Sequence, residues 1–549
     1  MENPLNPALS PPPKINTTNG NAMKLATAAQ MRAMDQATFR DYGMPSIVLM
    51  ENAALRIVDE IAARLGPLGG KTIAVVCGKG NNGGDGLAVA RHLHTRFGAD
   101  VRVWLAAAPA ALTGDALANY DMARKFGVPI QDAAKPGDAF SRADMIVDAL
   151  LGTGIKGGVE GELALVIAAI NDAHKPTVSV DVPSGLDADT GRVDGACVRA
   201  TVTVTLALAK IGLWDFPGQD YVGELVVADI GMPRPVMQAD NIQVSLTQAA
   251  DIARWLPPRT EGNSSNKGTF GTALLFAGSQ GMVGAAVLCA EAAARTGAGL
   301  TTLAVPQDAQ SIVMSRINPV VMTRGLPQTE HGAFAAQALE PALALTERGG
   351  AAAIGPGLGG THDDQTRAFV HGFVSRCRVP LVVDADALNI LSMQDDQGAS
   401  LVKGRAAPTI LTPHPGEMGR LLGMDTQAVQ ADRRQAVERA AALFGCTVLL
   451  KGARTWVASP DGALNINATG NAGMASGGMG DTLTGIITAL LACGLGAHEA
   501  ASAGAYLHGL AGDLVKDKQG GKAGLLATDI IDMLPRALAR CHAPAPKDN

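Results

Sequence analysis

Four stretches of this 549-residue chain set a carboxylate among glycines where an apolar run ends, an arrangement suited to gripping phosphate and moving protons. One is Gly78-Lys-Gly-Asn-Asn-Gly-Gly-Asp-Gly86, whose Gly78, Gly80 and Gly83 satisfy the GxGxxG spacing by which backbone N–H groups at a helix N-terminus cradle a pyrophosphate. Asp148-Ala-Leu-Leu-Gly-Thr-Gly154 and Asp181-Val-Pro-Ser-Gly-Leu-Asp187 are two more. A lone aspartate of this kind is usually a helix cap or turn residue, but three polar strand ends of one open α/β sheet point to a shared crevice. The fourth, Gly477-Gly-Met-Gly-Asp481, offers successive N–H groups to a transferring phosphoryl group and an aspartate to take the proton of an attacking hydroxyl, with no Walker lysine. A glycine C-cap followed by an N-cap aspartate would explain those glycines separately but not their contiguity with Asp481.

The elements that must position these groups follow from the alternation of β-rich and helical runs, which predicts mostly parallel sheets covered on both faces. After two helical stretches, strands are expected at 72–77, 101–105, 145–149, 177–180, 201–206 and 225–230, six that complete a domain over 23–234. The helix after the first glycine segment is expected to open near Leu87. Gly231-Met-Pro-Arg-Pro235 then interrupts the pattern, and a linker is expected near 233–248. Strands resume at 272–277, 301–305, 351–354, 381–384, 409–412, 448–451 and 456–458 in a second α/β domain over 247–538, whose last glycine turn feeds a helix near Thr482.

That second half carries four further signals. Ala277-Gly-Ser279 leads into the small-residue helix start Met282-Val-Gly-Ala-Ala286, which lets a ligand approach the backbone. Gly355-Pro-Gly-Leu-Gly359 closes a strand, Asp384-Ala-Asp-Ala-Leu-Asn389 puts two carboxylates at another, and Thr412-Pro-His-Pro-Gly-Glu417 fixes His414 between prolines, where a turn role and a ligand role are equally open.

Composition excludes several classes. Hydrophobic residues at 47% and charged ones at 17% fit packed domains rather than disorder, and Lys+Arg 45 against Asp+Glu 51, a net charge of -6, disfavours a phosphate-neutralising nucleic-acid surface. Seven dispersed cysteines without a CxxC pair read as buried free thiols. Residues 1–22 read as a flexible tail, neither signal nor anchor, and no apolar run reaches the roughly 20 residues of a membrane span, so a cytoplasmic protein is expected. An ordinary dehydrogenase is disfavoured because Ala-Ala-Ala-Pro, not an acidic residue, follows the 101–105 strand.

Together with Leu49-Met-Glu-Asn-Ala53, the first three glycine motifs resemble the NAD(P)H-hydrate epimerase family over residues 23–234. Its members interconvert the C6 epimers of NADHX and NADPHX, reduced nicotinamide cofactors hydrated at C5=C6. The resemblance implies a Rossmann-like three-layer domain with Asn81, Asn82, Gly83, Gly84, Asp85, Gly152, Thr153, Gly154, Ile155, Lys156, Gly157, Gly158 and Asp181 around the hydrate, and Asn82, Asp148 and Ser184 around K⁺. Epimerisation needs only proton delivery and cation stabilisation, for which Asp181 is the first choice and Asp85 the second.

The motifs of the second half resemble the NAD(P)H-hydrate dehydratase family, a ribokinase-like α/β fold, over 247–538. This implies ADP on Lys451, Gly452, Ala453, Arg454, Thr455 and Gly480, the hydrate near Ala285, Gly357, Gly359, His414 and Asp481, and Mg²⁺ bridging phosphates. Asp481 would deprotonate the C6 hydroxyl for attack on ADP, and elimination of the phosphate ester would restore NAD(P)H with AMP and phosphate released. The motifs alone do not fix ADP over ATP. The reading is a bifunctional repair enzyme, expected to be a homo-oligomer acting on small molecules, against two rivals: a small-molecule kinase with a regulatory nucleotide-binding domain, and a nucleotide-sensing binding protein.

Overall fold

The computed structural model describes residues 23–543 apart from 134–137, 257–258, 260–264 and 394. The flexible tail expected over 1–22 lies outside the described residues. The chain divides into two compact units between Val244 and Ser245, within the 233–248 stretch expected as a linker, which holds the short helix Arg234–Met237 and the strand Val244–Leu246.

In the first unit seven strands form an all-parallel sheet in the order Ile130–Asp132, Asp100–Leu105, Thr72–Cys77, Met145–Ala149, Thr177–Val180, Val202–Leu206, Glu224–Ala228. Alternate residues of one strand feed two cores: Ile73, Val75 and Cys77 pack on one face, Ala74 and Val76 on the other, as a sheet covered on both sides requires. The six expected strands are present. The seventh, Ile130–Asp132, is a short edge piece with one apolar residue and no pattern to betray it. Two more short strands, Met23–Ala26 and Ala209–Lys210, pair in parallel.

The second unit repeats the principle: Met322–Leu326, Leu300–Pro306, Thr272–Phe276, Ala351–Ile354, Leu381–Val383, Thr409–Leu411 and Thr447–Leu450 run parallel, then Trp456–Ala458 and Leu464–Ile466 continue antiparallel. Its main core lies under the helices Val283–Thr296, Met479–Ala492, Ala497–Gln519 and Ala527–His542. The strands Met322–Leu326 and Leu464–Ile466 were not expected, the first because its Arg and Gly break an edge strand's alternation, the second because three residues carry no period.

Both sheets reverse strand order once, between Thr72–Cys77 and Met145–Ala149 in the first unit and between Thr272–Phe276 and Ala351–Ile354 in the second. Loops leaving the two central strands part there, and ligands of open α/β sheets bind in that gap. All seven cysteines are free thiols, six buried and Cys493 partly so. No described helix is long and apolar enough to cross a membrane.

Candidate functional site

The first glycine segment is already helix. Asn81–Phe97 starts at Asn81, six residues before the expected opening near Leu87. Glycine penalises a helix by about 1 kcal/mol per residue against alanine, so local propensity argued for a later start. Packing overrides it: a Cβ on Gly83 would stand 1.9 Å from the Gly78 carbonyl oxygen, and one on Gly86 would stand 2.5 Å from the Ala149 Cβ. Only a side-chain-free surface lets this helix press onto its own entry loop and the central strand.

That close approach leaves a cavity of about 780 Å³ at the switch point, lined by Asn81, Asn82, Asp85, Asp181 and all of residues 152–158. Gly83 and Gly84 do not line it, for Gly83 backs onto Gly78 and Gly84 onto Ala116 and Met50. Asp181 sits just past its strand at φ 65, a left-handed conformation unusual for a non-glycine residue and concentrated at functional sites. Its Oδ1 accepts hydrogen bonds from the Leu206 N–H at 3.0 Å, the Thr205 hydroxyl at 3.1 Å and the Lys210 ammonium, while no described residue donates to Oδ2. Lys210, 1% exposed, also donates to the Leu206 carbonyl and the Thr205 hydroxyl. Asp85 is buried without a described hydrogen-bond partner, and burial, with Asp181 and Asp35 nearby, pushes its carboxyl well above the usual range.

The three residues expected around K⁺ are linked by hydrogen bonds through the Ser184 hydroxyl and the Leu151 carbonyl. Asp148 is fully buried and accepts from the Ser184 hydroxyl and N–H and the Ser179 hydroxyl, burial raising its pKa above the usual value. The Leu151 carbonyl receives the Asn82 amide at 2.9 Å and the Ser184 hydroxyl at 3.2 Å. The set is all oxygen, with one carboxylate and neither imidazole nor thiolate, which suits a hard, weakly charged cation.

In the second unit Met479–Ala492 likewise starts early, at Met479 rather than Thr482, so Asp481 stands in its first turn. Around this N-terminus the Lys451 ammonium lies 2.7 Å from Asp384 Oδ1 and 3.8 Å from Glu417 Oε2, and the Thr484 hydroxyl donates to Asp384 Oδ2 at 2.7 Å. A Cβ on Gly480 would come within 3.3 Å of that ammonium, so Gly480 is the point where backbone meets charge. Lys451, expected on ADP, therefore spends part of its charge on carboxylates. Asp384 and Glu417 hold its pKa above the usual lysine value against a burial that pulls it down. Burial, then Asp384 and Asp386, push Asp481 to about 6, with Lys451 opposing.

The expected hydrate residues gather beside this cluster. Gly357 stands against Ala285, its missing Cβ 2.9 Å from that of Ala285, and the Gly359 N–H donates to Asp386 Oδ2 at 2.9 Å. Ser279 donates to the Gly357 carbonyl. His414 caps a helix: its Nδ1 accepts from the N–H groups of Gly416 and Glu417 while Glu417 accepts from the His414 N–H, a capping box for Pro415–Leu422. Because Nδ1 accepts, the ring proton lies on Nε2; burial and the neighbouring Lys451 lower its pKa. Gly452, Ala453, Arg454 and Thr455 form the turn between the antiparallel strands Thr447–Leu450 and Trp456–Ala458, with the Arg454 guanidinium folded back onto the Ala468 carbonyl.

Lys210, Asp35, Asp386, Glu417 and Thr484 were not among the expected site residues. Lys210 left a legible trace: it is the lone charge in Thr201-Val-Thr-Val-Thr-Leu-Ala-Leu-Ala-Lys-Ile-Gly-Leu213, and a lysine buried there requires a partner. Asp35, on the amphipathic helix Ala28–Tyr42, left none.

Two open α/β units, each with buried carboxylates and a lysine at the C-terminal edge of its sheet, define a two-site enzyme. The family described as NAD(P)H-hydrate dehydratase matches residues 273–536, and the family described as YjeF-related protein N-terminus matches 46–212. The bifunctional NAD(P)H-hydrate repair enzyme of Moorella thermoacetica is 45% identical over 94% of this chain and 97% of its own, and that of Thermofilum pendens 38% identical over 94% and 96%. A solved ADP/ATP-dependent NAD(P)H-hydrate dehydratase from Bacillus subtilis, co-crystallised with ATP and Mg²⁺, is 31% identical and covers 54% of this chain and 98% of its own, with a TM-score of 0.45. The chain belongs to the family of bifunctional NAD(P)H-hydrate repair enzymes.

Proposed function

We propose that the first unit interconverts the R and S epimers of NADHX and NADPHX at C6, and that the second dehydrates the S epimer using ADP. The observation that carries this division is that each unit has its own switch-point cluster of carboxylates around a lysine, Asp181 with Lys210 and Asp384 with Lys451. In the first unit the open Oδ2 of Asp181 exchanges protons with the C6 hydroxyl or water, and the first turn of Asn81–Phe97 faces the pyrophosphate. In the second, Asp481 takes the C6 hydroxyl proton, the Gly477 to Gly480 backbone meets the transferring phosphoryl group, and Lys451 offsets its charge. Among the described residues no group of three or more His, Cys, Asp or Glu side chains could hold a metal. A Mg²⁺ there would be held by the substrate phosphates and water. Its chemistry would be to neutralise phosphate charge.

Because the division falls between Val244 and Ser245, a fragment beginning at Ser245 is expected to dehydrate S epimer at the full chain's rate. A folded fragment inactive on S epimer would overturn the separation of the two activities. For Asn82, Asp148 and Ser184 the expected outcome is ionic: exchanging K⁺ for a bulky organic cation slows epimerisation or raises KM, with dehydration of pure S epimer as the control. Unchanged epimerase kinetics remove the K⁺ site.

A further inference from the structure

The epimerase cavity holds more acid–base chemistry than one aspartate. Epimerisation at C6 involves both faces of a ring: hydroxyl departs from one and water arrives on the other, so a proton is given on one side and taken on the other. A single carboxylate cannot stand on both sides of a bound ring. Among the cavity's carboxylates, Asp85 lies in the wall, 7% exposed, on the same helix that meets the pyrophosphate. Asp115 and Glu160 also line it. Asp35 differs from Asp115 and Glu160 in its neighbours: it reaches the cavity from the helix Ala28–Tyr42, apart from the helix that carries Asp85, and the charges of both Lys210 and Asp181 act on it.

We propose that Asp35 is the second proton-transfer residue of the first unit, serving one face of the nicotinamide ring while Asp181 serves the other. This rests on the epimerase reading of the cavity. In one direction the ring nitrogen lone pair forms N1=C6 as the C6–O bond breaks, and the departing oxygen takes the Asp35 carboxyl proton and leaves as water. A second water then forms the new C6–O bond from the other face, gives its proton to Asp181 Oδ2, and the π electrons return to nitrogen. One proton has moved from Asp35 to Asp181, and the reverse reaction returns it.

The electrostatics suit such a pair. Burial raises the Asp35 carboxyl to about 6, with Asp181 adding to the rise and the Lys210 ammonium opposing it. Asp85 couples to it as well. Arg32 lines the cavity from the same helix and Lys79 and Lys156 from the loops, while Lys24, Asp189 and Arg234 lie on the elements that flank this helix. Asp181, by contrast, is gripped at Oδ1 by an ammonium, an amide and a hydroxyl. Two carboxyl groups with such different surroundings can hold one proton between them.

The test is the full-length enzyme in an epimerisation assay over pH 5 to 9, comparing wild type, Asp35→Asn, Asp35→Glu and Asp181→Asn, with dehydration of pure S epimer as the folding control. Wild type is expected to lose rate as pH rises past about 6, where Asp35 gives up its proton. Asp35→Asn is expected to lose roughly 10² to 10⁴-fold in kcat with KM little changed, and to lose that alkaline limb, while Asp35→Glu restores part of both. A wild-type kcat in Asp35→Asn, or the same limb persisting in it, overturns the proposal. If Asp181→Asn slows and Asp35→Asn does not, only Asp35 falls. If neither slows, the epimerase reading of the cavity falls with it.

Discussion

Asp481→Asn is expected to bind nucleotide and hydrate normally and to dehydrate S epimer roughly 10² to 10⁴-fold more slowly, the usual worth of a general base. The change keeps the size and polarity of a side chain in the first turn of Met479–Ala492, so helix and glycine turn survive, but an amide cannot take the proton of the C6 hydroxyl. The pH dependence gives the sign. A base must be deprotonated, and burial with Asp384 has raised Asp481 to about 6, so wild-type turnover should climb through about pH 6 and level off above it. Asp481→Asn should be slow and flat over that window. Lys451 holds the group down, so Lys451→Met should move the same limb to higher pH as well as weakening nucleotide binding. Single-turnover rates with ADP and pure S epimer, measured from pH 5 to 9, check both. A fully active Asp481→Asn enzyme would remove the phosphoryl-transfer mechanism.

Asp481 could be singled out in the sequence because its motif is local: glycines, aspartate and helix start are contiguous. The same holds for Asp148, Asp181 and the 152–158 turn, each within a few residues of a strand whose apolar run announces it, and the parallel sheets follow from those runs. Gly83 and Gly84 show two demands that leave the same mark in the sequence. A glycine needed so that a helix can touch another backbone looks, in sequence, like a glycine needed to cradle a ligand. His414 was ambiguous for a similar reason, since a capping imidazole and a ligand-binding one share the same Pro-flanked position. Lys210 and Asp35 were out of reach by motif because each meets Asp181 only through tertiary packing, 29 and 146 residues away along the chain. Only the isolation of Lys210 in an apolar run hinted at the pairing.

The second large effect is Asp181→Asn, expected to leave S epimer repaired at the full rate while R epimer waits on its slow spontaneous conversion. Two consequences of the substitution must be separated, because Asp181 both transfers protons and partners a lysine that is 1% exposed. Removing one member of a buried pair typically costs about 3 to 5 kcal/mol, since the remaining charge is left in a medium that solvates it poorly. Here the asparagine keeps an amide oxygen where Oδ1 stood, and the Thr205 hydroxyl and Leu206 carbonyl still receive the ammonium, so the cost should fall below that range. The first unit should therefore melt earlier while remaining folded at 25 °C. Lys210→Met, which removes the charge but retains the aspartate, distinguishes the roles. If Asp181 acts by proton transfer, Asp181→Asn abolishes epimerisation, whereas Lys210→Met, which keeps the carboxylate, only slows it. If the pair serves only to hold the fold, both variants should lose epimerase activity in proportion to their loss of thermal stability. Melting curves beside separate R and S epimer assays decide between them, and dehydration of S epimer by the same preparations shows whether the second unit has kept its own site.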